Sequence, residues 1–194
     1  VLGLNVSYNK DINPIATLYR YNSTTGAYES KPMNVKGGDM WKFGFNYDQG
    51  IGVYFRLMNK FKVLTSKSYG FLTIVDNNDP NAVPDLNLQK RLGIDENFDL
   101  SYEAEKVQLT LFNNLQWNRY RYDDDTYNSS PLYNSLGISV RLKLSPLEMY
   151  IRLSDDFRKG YATSEMNGHK LMSMASISYG FCKNKCRLSL FVDD

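Results

Sequence analysis

The chain has few residues of the kinds that usually build catalytic or metal sites. Its 194 residues include two cysteines and one histidine, so a site assembled from Cys and His ligands lacks donors. No apolar run approaches the roughly 18 residues that a membrane-spanning helix needs, and the mean hydropathy is -0.46. These shortages argue against a metalloenzyme and against a helical membrane protein.

The chain also has little excess of one charge over the other, because its formal net charge is only +2. A nucleic-acid-binding surface needs a stronger basic excess, so no nucleic-acid partner is expected. There is no signal peptide and no initiator Met, and the chain opens at Val1 and closes at Asp194 inside strand patterns. We therefore expect residues 1–194 to be one segment of a longer polypeptide, truncated at both ends.

What the sequence does contain is a regular alternation of side-chain character from residue 135 to residue 192. Apolar side chains occupy alternate positions in four segments, which are 135–144, 147–153, 171–181 and 188–192. Ser145-Pro146 separates the first two and predicts a tight hairpin. A period of two predicts β-strands with one apolar and one polar face.

The alternating segments favour a membrane barrel over a soluble β-sandwich. Sandwich strands usually run about 5–6 residues, whereas these alternate over about ten, the length of a tilted strand that spans a bilayer. The 15 Tyr and 10 Phe residues suit aromatic girdles at two membrane interfaces. The sequence thus predicts an all-β fold, an antiparallel up-and-down meander that forms part of a transmembrane β-barrel.

We predict about nine strands, joined alternately by tight and by longer connections. The tight turns lie near residues 49, 104, 145 and 183, and the longer or more polar connections lie near residues 24, 78, 127 and 164. Residues 1–22 are predicted to form one irregular strand with a bulge or break at Pro14, and residues 70–84 a long loop. Glu96 interrupts an apolar face and is predicted to lie near a rim.

The two faces of the predicted sheet carry different side chains. The outward apolar band includes Leu109, Leu111, Leu142, Met149, Ile151 and Leu188. The inward, lumen-facing basic candidates are Arg56, Lys60, Lys62, Arg141, Lys143, Arg152 and Arg187. Two interpretations of the basic set stay open: a solvated lumen, or an electropositive interior that favours anionic solutes or an acidic plug surface. Ser154→Arg on the inward side is expected to be mild.

Other candidate sites are weaker. Asp76, Asp79 and the acidic run 123–125 could supply calcium ligands, but their spacing matches no known calcium loop, and a solvated loop explains them. His169 is interpreted as an ordinary loop residue. We predict no catalytic, cofactor-binding or metal-binding residue, and hence no enzyme.

The cysteines give a separate prediction. If Phe181 and Leu188 both point outward, a two-residue loop at Lys183-Asn184 leaves Cys182 and Cys186 on opposite faces of the sheet. Both thiols are then expected to be reduced, a state that mass spectrometry under non-reducing conditions can check.

Several short stretches resemble a known family. These are Ser178-Tyr179-Gly180-Phe181, Lys183-Asn184-Lys185 and residues 188–194, with Val6-Ser7-Tyr8, residues 19–34 and Arg158-Lys159-Gly160-Tyr161 upstream. Together they resemble the barrel domain of TonB-dependent outer-membrane transporters, in the outer-membrane β-barrel protein family, and the resemblance covers nearly the whole chain.

That resemblance implies a function and a location. The chain would be a partial barrel domain without its plug, in the outer membrane of a Gram-negative bacterium and in contact with outer-membrane lipid. The resemblance implies energised uptake of a bulky nutrient, with a TonB-type energising partner and a surface lipoprotein. It assigns no ligand-binding residue.

Two other functions are compatible with the pattern. One is a soluble or surface-attached β-sandwich that binds glycan or protein, and the other is a small outer-membrane enzyme or adhesin barrel. Solubility without detergent would favour the sandwich. Direct pairing of the first and last strands would favour the small barrel, whereas a transporter segment predicts that residues 1–8 and 187–192 do not pair with each other.

Overall fold

The computed structural model describes residues 1–76, 78–79, 84–181 and 186–194. They form twelve strands: β1 Leu2–Lys10, β2 Ile15–Asn22, β3 Ala27–Asn34, β4 Asp39–Ile51, β5 Phe55–Phe71, β6 Val75–Asp76, β7 Leu86–Glu103, β8 Val107–Arg121, β9 Leu132–Leu144, β10 Leu147–Lys159, β11 Gly168–Phe181 and β12 Cys186–Asp193. The helical segments are the 3₁₀ turns Asp125–Tyr127 and Ser164–Met166. In the described ranges no helix has the length and hydropathy to cross a membrane.

Nine of the strands form one antiparallel sheet in the order β1-β4-β5-β7-β8-β9-β10-β11-β12. Each strand of this main sheet pairs with the next main-sheet strand along the chain, which confirms the predicted all-β, antiparallel meander. β1 and β12 lie at opposite edges and, among the strands described, do not pair with each other. β2, β3 and β6 form a separate small sheet in the order β3-β2-β6.

The prediction of one strand over residues 1–22 is wrong. β1 ends at Lys10, and β2 belongs to the small sheet. Asn13 adopts a φ of 51° and Pro14 has no N–H to donate, so the ladder cannot continue through this pair. β2 and β3 instead form a hairpin around the predicted turn 23–26.

The tight turn predicted near residue 49 lies later in the chain. β4 runs on to Ile51, which pairs with Phe55, and the turn comprises residues 52–54. Gly52 supplies the left-handed conformation there, with a φ of 65°. The turns near residues 104 and 145 lie where they were predicted, whereas the turn near residue 183 falls outside the described residues.

The described connections of the main sheet are short at one end and long at the other. At the tight-turn end, residues 52–54, 104–106 and 145–146 join consecutive strands. At the long-connection end the connections are 11–38, 72–85, 122–131 and 160–167. Residues 70–84 are therefore only partly a loop, because β5 reaches Phe71 and β6 pairs in parallel with β2.

Regular pairing gives the main sheet two distinct faces. One row of directly opposite residues consists of Ile51, Phe55, Tyr102, Leu109, Val140, Ile151, Ala175 and Val192. The adjacent row on the other side consists of Arg56, Ser101, Thr110, Ser139, Arg152, Met174 and Asp193. We call these sides the apolar face and the polar face. The residues predicted for the outward band share the apolar face.

Glu96 is an exception to the apolar face, but it is not at a rim. It lies in the middle of β7, opposite Phe61 and Leu115. Its carboxylate accepts a hydrogen bond of 2.8 Å from the side-chain amide of Asn59. The carboxylate is thus tolerated because a polar neighbour on β5 satisfies it, and the prediction of a rim position is wrong.

The sheet encloses little hydrophobic core. Among the described residues, the buried hydrophobic side chains are Leu18, Val35, Val75 and Phe112. The accessible surface is 13498 Å², whereas a folded monomer of 22.4 kDa has about 9,400 Å². Large apolar side chains on the main sheet are therefore left uncovered.

Candidate functional site

All seven basic residues predicted from the sequence lie on the polar face of the main sheet. Arg56 makes two parallel hydrogen bonds to Asp48, Nε to Oδ1 at 2.8 Å and Nη2 to Oδ2 at 2.7 Å. Such a paired geometry orients the guanidinium. Its charge is nonetheless neutralised locally, so Arg56 adds little to the field of this face.

A cluster of charge lies near the tight-turn end. The Glu148 carboxylate is 3.5 Å from Nε of Arg141 and 3.4 Å from Nη2 of Arg187. Lys143 is directly opposite Glu148 in the β9–β10 pairing. Two guanidiniums thus face one carboxylate, with Lys143 on the neighbouring strand. Lys143, Glu148 and Arg187 line a concave surface together with Lys106.

Arg152 is held in a different way. Its guanidinium lies 4.0 Å from the centre of the Phe112 ring, a cation–π contact. Phe112 is only 5% exposed and lies close to Gly137, whose missing side chain leaves room for the ring. Lys60 and Lys62 make no ion pair with any described residue.

The polar face as a whole carries more cations than anions over the described strands. Sequence reasoning found seven of its basic residues and missed four, which are Lys42, Arg91, Arg158 and Lys170. The acidic residues on this face are Asp48, Asp95, Asp99, Glu103, Glu148, Asp156 and Asp193. The period of two, extended along the whole of β4, β7, β10 and β11, could have found these four cations.

A hydrogen-bond network on β9 and β10 was also missed. The Tyr133 hydroxyl donates to Asp156 Oδ2 at 2.9 Å, and the Ser135 hydroxyl donates to Oδ1 at 2.7 Å. Arg158 lies over the Tyr133 ring, 5.6 Å from its centre. Both oxygens of the carboxylate are satisfied, so this group fixes side chains on the polar face and gives no sign of acid–base chemistry.

His169 is not a loop residue, contrary to the prediction. It is the second residue of β11, on the apolar face, and its Nδ1 lies 3.0 Å from Asp155 Oδ2. Its ring packs against Phe157 at a tilt of 36°, with 4.7 Å between ring centres. Within the described ranges no hydroxyl or thiol is bonded to this pair, so it lacks the nucleophile of a catalytic triad.

The acidic side chains of the long connections are used in local turns. Asp124 caps the 3₁₀ turn by accepting a hydrogen bond of 2.9 Å from the Thr126 backbone N–H. This bond holds the pKa of Asp124 below its usual range. Over the part of the chain that is described, no three metal-ligating side chains come together.

Asp76 offers a test by pH. The Asn78 backbone N–H donates a hydrogen bond of 3.0 Å to the Asp76 carboxylate and lowers the pKa of that carboxyl. The hydrogen bond therefore stabilises the folded protein fully above the pKa of an unfolded Asp, which is about 4. This stabilisation is lost as the pH falls through the lowered pKa of the folded protein. Hydrogen exchange at Asn78 should accelerate relative to its intrinsic rate below about pH 4. An Asp76→Asn variant should lack this step, and an equal step in both proteins would contradict the assignment.

Of the two cysteines, Cys186 lies within the described residues. Cys186 is exposed and has a free thiol, and it lies opposite Phe181 on the apolar face. Cys182 and the turn at Lys183-Asn184 lie outside the described residues. The prediction that the two thiols face opposite sides stays a prediction.

The chain matches no protein-family model, no curated protein sequence and no solved structure.

Proposed function

We propose that this chain is a section of the wall of an outer-membrane TonB-dependent transporter or receptor that takes up a bulky nutrient. The observation that carries the proposal is the main sheet itself, with an uncovered apolar face on one side and a charged face on the other. The transporter assignment depends on the sequence resemblance. So do the TonB-type energising partner, the surface lipoprotein and the Gram-negative outer membrane.

The strand lengths support a membrane-spanning sheet. β7 has 18 residues and β5 has 17, while β9 and β10 have 13 each. A tilted strand crosses the hydrocarbon core with about 9–11 residues, so these strands span it and extend beyond one interface. Short turns at one end and long connections at the other are the usual arrangement of a bacterial outer-membrane barrel.

The apolar face needs a covering that the described chain does not supply. In a soluble β-sandwich a second sheet packs about 10 Å away and buries the inner faces. Here the second sheet has three strands, one of them with two residues, and Ile151, Leu190 and many other large apolar side chains of the main sheet stay exposed. Lipid is the covering that fits a continuous apolar face, which disfavours the sandwich.

The polar face would then line the interior. Its excess of basic side chains over acidic ones supports the electropositive interpretation. A surface lined with positive charge raises the local concentration of anions. We assign to this face the passage of anionic solutes or contact with an acidic plug surface. The cluster around Glu148, with Arg141, Lys143 and Arg187, marks the tight-turn end of that surface.

The test is the behaviour of the full-length protein in its host and in detergent. We expect it to fractionate with the outer membrane, to be monodisperse only in detergent, and to migrate faster on gels before boiling than after, as closed barrels do. If the protein is monodisperse in buffer without detergent, the membrane assignment is wrong. A membrane barrel whose nutrient uptake is unchanged when the energising partner is deleted would contradict the transporter assignment alone.

A further inference from the structure

A row of cations crosses the apolar face near the long-connection end. Lys67, Lys90 and Arg121 are direct partners on three neighbouring strands, and Arg119 lies one step away on the same face. Like charges directly opposite each other destabilise a sheet. An anion bound against this row would relieve the repulsion between the cations.

The described chain does not provide that anion. None of the four cations forms an ion pair with a described residue, and all four are exposed. Asp39 is opposite Lys67 but makes no ion pair with it. The Asp123 carboxylate, just beyond β8, accepts a hydrogen bond of 3.2 Å from the Leu88 backbone N–H instead.

The row occupies a definite level along the strands. On β8, moving toward the long-connection end, the apolar face presents Leu115, Trp117, Arg119 and Arg121 in turn. On β4, Trp41 lies one step below the level of the row. Trp favours the membrane–water interface, so a cation just beyond it lies at the level of lipid head groups.

We propose that Lys67, Lys90 and Arg121, with Arg119, bind the phosphate groups of an anionic lipid in the outer leaflet. This inference rests on the proposed membrane location, with the long connections facing outward. Three neighbouring strands span about 10 Å, wide enough for a head group that carries two phosphates. The guanidiniums bind phosphate oxygens in pairs and the ammonium groups act as point charges.

The experiment compares two variants of the full-length protein in uncharged detergent. The row variant carries Lys67→Gln, Lys90→Gln and Arg121→Gln. The control carries Lys42→Gln, Lys60→Gln and Lys62→Gln, which remove the same charge from the polar face. The probes are a bisphosphorylated acylated glucosamine lipid and its dephosphorylated form, and native mass spectrometry measures the Kd of each.

We expect the row variant to raise the Kd for the phosphorylated lipid by roughly tenfold or more and the control to leave it unchanged. The dephosphorylated lipid should bind both variants and the parent protein alike. An unchanged Kd in the row variant, or an equal loss in the control, would overturn the inference. The detergent requirement is recorded on the same samples: failure of lipid binding in a detergent-dependent protein rejects this inference alone, whereas monodispersity without detergent rejects the proposed function.

Discussion

Replacing Ile151 with Arg should lower the free energy of unfolding in a lipid bilayer by about 2–4 kcal/mol. Ile151 lies in the middle of β10 on the apolar face, 46% exposed, with Val140 and Ala175 directly opposite on its two sides. If the apolar face contacts lipid as proposed, an arginine there would lie in hydrocarbon with no carboxylate directly opposite it. Denaturant titration of the protein folded into vesicles measures the loss.

The control for this variant is an arginine on the polar face. Ser154 was expected to tolerate one, but it is only 7% exposed and its Cβ lies close to Gly137, so it is a poor site. Gln116 on β8 is exposed on the polar face, and Gln116→Arg should change stability by less than about 1 kcal/mol. Equal losses from Ile151→Arg and Gln116→Arg would reject the assignment of the apolar face to lipid.

A second large effect is expected at Gly137. A side chain there would begin 2.3 Å from the Leu153 carbonyl oxygen and 2.4 Å from a ring carbon of Phe112. Backbone cannot move aside cheaply, so Gly137→Val should destabilise the fold by about 1–3 kcal/mol and expel the Phe112 ring from its place. Denaturant titration gives the free energy, and fluorescence or NMR of the ring region gives the displacement.

Gly50 provides the matched control on the same face. A Cβ added at Gly50 meets nothing within 4 Å. Gly50→Val should therefore leave the free energy of unfolding nearly unchanged, or raise it slightly through the β-propensity of valine. If both variants lose the same stability, the effect comes from valine in a strand and not from the contact between Gly137 and Phe112.

The period of two was enough to predict the main sheet. It gave the strand class, the meander, the hairpin at Ser145-Pro146 and the face of each basic candidate, because one face of a strand is fixed once its register is fixed. Turn chemistry was less informative. The tight turn was predicted near residue 49, whereas the structure turns later, with Gly52 in the left-handed conformation.

The features that were missed depend on contacts between distant residues. Nothing local shows that β2 leaves the main sheet to pair with β6, because that pairing joins Arg20 to Val75 across a long stretch of chain. The ion-pair partners of the basic residues could not be predicted for a similar reason. Glu148 reaches Arg187 only because β10 and β12 both flank β11.

The small sheet ties together two connections that would otherwise move separately. β2 comes from the connection between β1 and β4, and β6 comes from the connection between β5 and β7. Arg20 and Tyr21 of β2 pair with Val75 and Asp76 of β6, and the side chains of Leu18 and Val75 on these two strands are buried. We therefore expect a displacement of either connection to move the other, so that the two behave as one mechanical unit.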